Sequence, residues 1–388
     1  MTAARTGPRI FISAGEVSGD IVAARLIDEL RAADPLTTVD GLGGRRMVEA
    51  GATVIAPADH IGAIGVSEGL AMAPSAIGVY RRAKRHVRAH RPDVAVLIAN
   101  DVFNVVLGRS FRAMGIPTIA FFPPQTWIWQ SLARLIAPSF DLVLASFPDE
   151  ARCYERAGVA TEFVGHYLAD VLHPATTDDR TAARRALGLA PSDPVVAILP
   201  GSRAREIERL GPILLAAADL IRARVPAVQL VAALSRQGAP GHDDTLCTPN
   251  GHHIRISGDS HMVMRAADVM VSCSGTATLE AALVGAPMVI AYQTSRMTYL
   301  IIRACVRTGL MAGETIALPN LILGRPVVPE FSQRRVTAPV IARAAVALIP
   351  DDVPQREMRL ALREVRAHVE RTGTLARVAR IVLERAGA

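Results

Sequence analysis

The chain has 388 residues, of which 50% are hydrophobic, 20% charged and 4% aromatic, and its formal net charge is +7. That length suits two domains, the apolar content excludes a disordered chain, and the scarcity of aromatics leaves the apolar mass to Ala, Val, Leu and Ile, as buried parallel sheets require. The basic balance favours anionic partners such as nucleotides or phospholipids, while the lack of a zinc-finger or RRM-type signature argues against nucleic acid.

In chain order, short apolar runs alternate with helical periodicity, the pattern of an α/β fold. Residues 9–13 read as a strand, 15–19 as a Gly turn and 21–32 as a helix. Strands are expected at 38–42 and 53–55, a basic helix at 76–90, and buried strands at 94–98, 118–122 and 142–146. A second series starts near residue 175, with a helix at 179–187, a strand at 194–199, a long helix at 206–225, and strands at 228–232, 269–272 and 287–291. A helix at 276–284 lies between the last two strands. An Arg-rich amphipathic helix over 354–386, with Gly373 as its break point, closes the chain. Two Rossmann-like domains follow, 1–174 and 175–353, with 354–388 as a helical segment. Ligands of such sheets bind beyond the carboxyl ends of the strands, so a site in the cleft between the domains is expected.

Cys153, Cys247, Cys273 and Cys305 are scattered, with no CxxC pair and no zinc spacing, which fits a reduced, cytoplasmic protein. No segment reads as a signal peptide or a transmembrane span. The longest uncharged run, 113–133, is interrupted by Pro117, Pro123 and Pro124.

Three turns carry chemistry. The first, SAGEVSGD at 13–20, has Gly15 and Gly19 for close backbone approach, Ser18 and Asp20 as caps of the following helix, and Glu16 free to bond a sugar hydroxyl. The second, LPGSRAREI at 199–207, offers Gly201 and Ser202 amides and the Arg203 fork to a phosphate, with Glu206 orienting Arg203. The third, SCSGTATLE at 272–280, opens a helix at Gly275 and Thr276 whose amides suit a diphosphate, and it places Glu280 one turn in, where a carboxylate can take two ribose hydroxyls. The structural alternatives are a plain strand-to-helix turn, an exposed basic turn and a capped core helix. Neither a Walker A lysine nor an Asp-x-Asp pair occurs, so no metal and no cofactor is expected, and leaving-group charge falls to amides, helix dipole and Arg203.

These turns sit within a longer series: GLGGRRM (41–47), IGVSEGL (64–70), FN (103–104), PQTWIW (124–129), FVGH (163–166), SGTATLEAALVGAPMVIAY (274–292) and LPNLILGRPVVPEFSQ (318–333). In order over roughly residues 9–335, the chain resembles the lipid-A-disaccharide synthases. The resemblance implies a GT-B fold, an inverting, metal-free transfer from UDP-2,3-diacylglucosamine to a lipid monosaccharide phosphate, and a peripheral place on the inner face of the cytoplasmic membrane. It also implies a last helix that returns to the N-terminal domain. Gly201, Ser202, Arg203, Glu206, Ser274, Gly275, Thr276, Thr278, Glu280, Tyr292, Asn320, Glu330 and Gln333 would serve the UDP-sugar. Gly15, Ser18, Gly19, Asp20, Asn104, Gln125, Trp127 and His166 would serve the acceptor.

The acceptor side departs from the family. Val102 stands where the family's aspartate precedes Phe-Asn, and Asp101 comes one residue earlier. Gln130 replaces an arginine and Tyr167 a proline; on the donor side, otherwise closely kept, Gln293 replaces a basic residue. For the base that deprotonates the acceptor hydroxyl, Asp101 is the first choice, and Glu16 and His166 are the others. Three readings stay open: a lipid-A-disaccharide synthase, a relative that moves N-acetylglucosamine from UDP to another, soluble acceptor in secondary metabolism, and a UDP-sugar-binding homologue without a base. The apolar stretch 61–80, running into Arg81, Arg82, Lys84, Arg85, Arg88 and Arg91, is the expected contact with an anionic membrane; its alternative is a buried loop before a solvated helix. The oligomeric state is left open.

Overall fold

The computed structural model describes residues 7–57, 66–99, 101–126, 132–201, 204–234, 245–311, 313 and 315–387; the side chains of residues 16, 17, 66–73, 101 and 245 are not described. The chain divides into two compact units. The first combines Met1–Asp170, Leu300–Glu314 and Val369–Ala388; the second combines Val171–Tyr299 and Thr315–His368.

The first unit runs β1 (Arg9–Ala14), α1 (Glu16–Ala33), β2 (Thr38–Gly43), α2 (Arg45–Glu49), β3 (Thr53–Pro57), α3 (Val66–Ala89), β4 (Val94–Ile98), α4 (Asp101–Ala113), β5 (Thr118–Phe121), α5 (Ala133–Ile136), β6 (Leu142–Ala145), α6 (Pro148–Arg156), β7 (Ala160–Phe163) and α7 (Leu168–Val171). The sheet is parallel, in the order β3-β2-β1-β4-β5-β6-β7. Its middle strands are buried throughout because helices cover both faces, which is why Val94-Ala-Val-Leu-Ile98 reads as an unbroken apolar run. On α4, Phe103, Leu107 and Phe111 recur every four residues, so one face meets the sheet. Phe111 packs edge-on against Phe11 of β1, with ring centroids 5.2 Å apart. Val79, Ala83 and Val87 give α3 the same spacing.

The second unit runs α8 (Thr177–Ala186), β8 (Val195–Leu199), α9 (Ala204–Arg224), β9 (Gln229–Ala233), β10 (Thr245–Cys247), β11 (His253–Ser257), α10 (Ser260–Ala266), β12 (Val269–Cys273), α11 (Thr276–Val284), β13 (Met288–Tyr292), α12 (Arg296–Arg307), α13 (Leu318–Leu323), β14 (Glu330–Ser332), α14 (Ala338–Ala347) and α15 (Val353–Val369); α12 and α15 each cross into the first unit. Its sheet has the order β10-β11-β9-β8-β12-β13-β14, parallel except for β10. A reciprocal capping box of Thr176 and Asp179 starts α8.

The expected Arg-rich terminal helix is two helices. α15 ends at Val369, and α16 (Thr374–Ala386) starts after Gly373, whose φ of 72° suits glycine. α16 returns to the first unit and packs against α1. Asp170 caps it from across the fold, accepting the Gly373 and Thr374 amides at 3.1 and 2.8 Å. The stretch expected at a membrane forms helix from Val66 onward, not a loop; residues 61–65 lie outside the described ones.

Candidate functional site

Each sheet has one point where successive crossovers leave in opposite directions. In the first unit it lies between β1 and β4, and in the second between β8 and β12. Neighbouring strands there diverge at their carboxyl ends and open a crevice. The turn after β1 carries Gly15, and the segment after β4 carries Asp101, the first residue of α4. The turns after β8 and β12 carry Gly201 and Gly275. Four of the sequence candidates therefore come from strand ends at switch points.

In the first unit, Gly15 is the N-cap of α1 and its amide donates to Ile98 O at 3.3 Å, joining the β1 turn to the end of β4. Gly15 has no side chain with which to cap α1, and Ser18 is exposed in its first turn. Asp20 does not cap α1 as expected. Its carboxylate lies on the other side, accepting the amides of Gly44, Arg46 and Met47 at 2.7, 3.0 and 3.2 Å, and so caps α2. Gly19 is buried in α1, and a Cβ there would meet Ala14, Ile98 and Ala99 at an ordinary 3.7 Å, so packing within the protein does not require glycine there.

Asn104 is also corrected. It is buried, its Oδ1 accepts from Ser13 Oγ at 2.7 Å, and its Nδ2 donates to the carbonyls of Ile98 and Ala99 at 3.1 and 2.5 Å. The amide is spent on holding the β4–α4 turn. That turn needs holding, because Ala99 has a φ of 52°, costly for a residue with a Cβ. Phe122, after β5, has the same φ of 52°. Neither residue announces this in the sequence, where only Gly or Asn at such positions would. Val102 is 79% exposed. Gln125 is half-buried. Trp127 and Gln130 lie outside the described residues, and the side chains of Asp101 and Glu16 are not described.

His166 is no base. It is buried between Phe122, Phe147 and Tyr167, with ring centroids 4.9, 5.6 and 5.5 Å away. Burial lowers its pKa to about 3, so it is neutral near pH 7, and its Nδ1 accepts the Leu168 amide at 3.3 Å. Tyr167, which replaces the family's proline, stacks on His166 and lies under the Arg25 guanidinium, 5.8 Å from the ring centre. This departure is one of packing.

In the second unit, Gly201 has a φ of 121°, and a Cβ on it would come within 2.6 Å of Glu206 Oε2, so glycine is required. Ser202 and Arg203 lie outside the described residues. Gly275, at φ 153°, is the exposed N-cap of α11 and has no side chain with which to cap it, and Thr276 beside it is exposed. The exposed start of α11 carries the positive end of the helix dipole, as a diphosphate needs. Ser274 is half-buried, and its Oγ donates to Ile316 O at 2.9 Å.

Glu280, one turn into α11, lies 3.6 Å from His261 Nε2. The long hydrogen-bonding contact to this carboxylate raises the His261 pKa against the opposing effect of burial. Tyr292 is half-buried at the end of β13. Gln293 Nε2 donates to Gln333 O at 3.2 Å. The Gln333 amide, turned to satisfy both its ends, pairs with the backbone of Thr294 at 3.1 and 3.3 Å.

Three donor-side candidates bond to other parts of the protein. Thr278 is buried, and its Oγ1 donates to Gly275 O at 2.8 Å. Asn320 is buried and fully bonded: its Oδ1 accepts from the amides of Val327 and Val328 at 2.7 and 2.9 Å, and its Nδ2 donates to Val328 O and Glu330 Oε2 at 3.0 and 3.1 Å. Glu330 further accepts the amides of Ile316 and Ala317 at 2.8 and 3.2 Å. This network shapes the segments around α13; it uses all four bonds of the Asn320 amide, while the half-buried Glu330 carboxylate accepts three. Among the described residues, no group of three or more His, Cys, Asp or Glu is placed to hold a metal.

The lipid-A-disaccharide synthetase family matches this chain over residues 10–379. The chain belongs to that family. The synthase of Chromohalobacter salexigens is 36% identical over 94% of this chain and 93% of its own length. That of Geobacter sulfurreducens is 36% identical over 98% of both. In fold, the chain is similar to the kitacinnamycin glycosyltransferase, with a TM-score of 0.63 at 18% identity, covering 98% of this chain and 100% of the other. It is a glycosyltransferase of GT-B architecture that uses a UDP-sugar.

Proposed function

We propose that the chain makes the lipid A disaccharide, moving 2,3-diacylglucosamine from UDP to a lipid monosaccharide phosphate with inversion, at the inner face of the cytoplasmic membrane. The observation that carries this reading is likeness over nearly the whole chain, acceptor half included, to synthases of that reaction. The exposed Val102 beside Asp101 supports an acceptor with acyl chains over a soluble sugar.

In this reading the amides at Gly201 and at the start of α11, with Arg203, hold the diphosphate. Glu280 takes the ribose hydroxyls. Asp101 removes the proton of the attacking hydroxyl. The acceptor oxygen bonds to the anomeric carbon, the bond from that carbon to the phosphate oxygen breaks, and its electron pair leaves on UDP. Charge on UDP is met by amides and arginine, so no metal takes part.

Release of UDP by the purified protein tests this. Turnover is expected only with the diacylated donor and the lipid monosaccharide phosphate, to persist in EDTA, and to fall at least 100-fold in Asp101→Asn. Turnover with UDP-N-acetylglucosamine and a soluble acceptor would overturn it.

A further inference from the structure

At its carboxyl end, α11 borders a cavity of about 60 Å³ whose lining includes none of the donor-site residues. The helix has nine residues, and at about 1.5 Å of rise per residue this end lies roughly 13 Å from the Gly275 turn. One wall is the last turn of α11, from Ala282 to Gly285, together with Pro174 and Ala175. The other is α15, which presents Arg359, Arg363 and Arg366. Their spacing of four and then three residues puts them on one face of that helix. No acidic side chain lines the cavity.

The carboxyl end of a helix attracts a cation, and that accounts for one of these arginines. Arg359 Nη1 donates to Gly285 O at 2.9 Å, and its Nε to Gln355 Oε1 at 3.4 Å. Val284 O already accepts the Ala175 amide at 2.9 Å. Arg366 is engaged, donating to Leu172 O at 2.6 Å. Arg363 is different: it is exposed and has no hydrogen-bond or ion-pair partner among the described residues, and Arg359 Nη2 has no acceptor among them. The carboxylates that act on Arg359 have other partners. Asp268 bridges Arg180 and Arg184 at 2.5 and 2.6 Å, and Asp351 faces Arg356 at 3.3 Å. Burial lowers the Arg359 pKa, the charges of Arg180 and Arg363 add to this, and the two carboxylates do not offset it. Positive charge is thus gathered in a partly desolvated place without an anion to meet it.

A water needs roughly 10–15 Å³ of such space, so the cavity has room for several waters or for one tetrahedral oxyanion. A phosphate group suits it. Its oxygens point to several sides and can accept from guanidinium forks one turn apart on a helix. Pro174 and Arg363 are exposed, so that side leaves room for a substituent on the phosphate.

We propose that this pocket binds a phosphate group, either the free ion or a soluble phosphomonoester, held by Arg359 and Arg363 beside the carboxyl end of α11. It is a second anion site, at the other end of α11 from the Gly275 turn, and it does not depend on which acceptor the enzyme uses.

The test is the melting temperature of the full chain with UDP at saturation, so that the donor site is filled, and with ionic strength held constant by sodium chloride. Inorganic phosphate and glycerol 3-phosphate are titrated separately. Wild type should be stabilised as the site fills. A rise with inorganic phosphate shows that the free ion suffices; a rise with the monoester alone shows that the site also reads the substituent. Arg363→Gln should weaken the apparent affinity about tenfold or more, and Arg363→Lys by less. Arg356→Gln, on the same helix but outside the lining, should leave it unchanged. Without phosphate, Arg363→Gln should melt at or above wild type, because it removes a charge that its neighbours repel. No response to either probe, equal weakening by Arg356→Gln, or an Arg363→Gln variant that melts below wild type without phosphate would each overturn the proposal.

Discussion

Asn104 and Asn320 use their amides at both ends, and neither has a spare group for substrate. Asn104→Ala would orphan two carbonyls and the Ser13 hydroxyl while releasing the strained Ala99 turn. A loss of about 2–3 kcal/mol in urea unfolding is expected, with turnover falling because the start of α4 moves. Asn320→Asp should be worse than Asn320→Ala, since it sets a second carboxylate against Glu330, 3.1 Å away in the wild type. Comparing the two melting temperatures checks this. Gly201→Ala should raise the donor KM without unfolding the protein, because the strain at φ 121° is confined to one turn. The turns themselves were legible in the sequence because their glycines and the helices after them mark strand ends. That two asparagines in the motifs serve the scaffold was not legible: a buried amide and a ligand-facing amide look alike until hydrogen bonds are counted.

At the scale of elements, the buried strands could be read because each is a short apolar run between breakers; the strand at 94–98 and the helix at 276–284 match the structure end for end. α4, α6, α10 and α12 to α14 went unread. α4 starts inside what looked only like a motif, and α12 has no single inward stripe to give it a period. The return of α16 came from the family resemblance, because docking onto α1 rests on a long-range fit that no local pattern encodes. Its cap, Asp170, lies more than 200 residues before it. Asp170→Ala should cost about 1 kcal/mol, read as a lower urea midpoint, and should loosen α16 first, seen as faster amide exchange over 374–386.

For the molecule as a whole, two histidines set opposite pH slopes. His166 has its folded pKa depressed to about 3, so the folded form binds fewer protons than the unfolded chain below the ordinary value near 6.5. Stability should fall as pH drops through that window, by up to about 1.4 kcal/mol per unit, and His166→Gln should flatten the acid side of a melting-temperature profile. His261 has its pKa raised by Glu280, so its contribution is present below the ordinary value and disappears as pH rises through the raised one. His261→Asn should remove that alkaline decline.

The first unit is not contiguous: its sheet is complete by Phe163, yet α1, which packs against the sheet and α2, is also flanked by α16 from the end of the chain. On a ribosome, the side of α1 that α16 covers stays open while the whole second unit is made, roughly 10–40 s at ordinary rates of synthesis. The second unit can close before the first does. A chain stalled within α15 would therefore offer chaperones and proteases a finished sheet with an unfinished flank, and only the complete product would withdraw it.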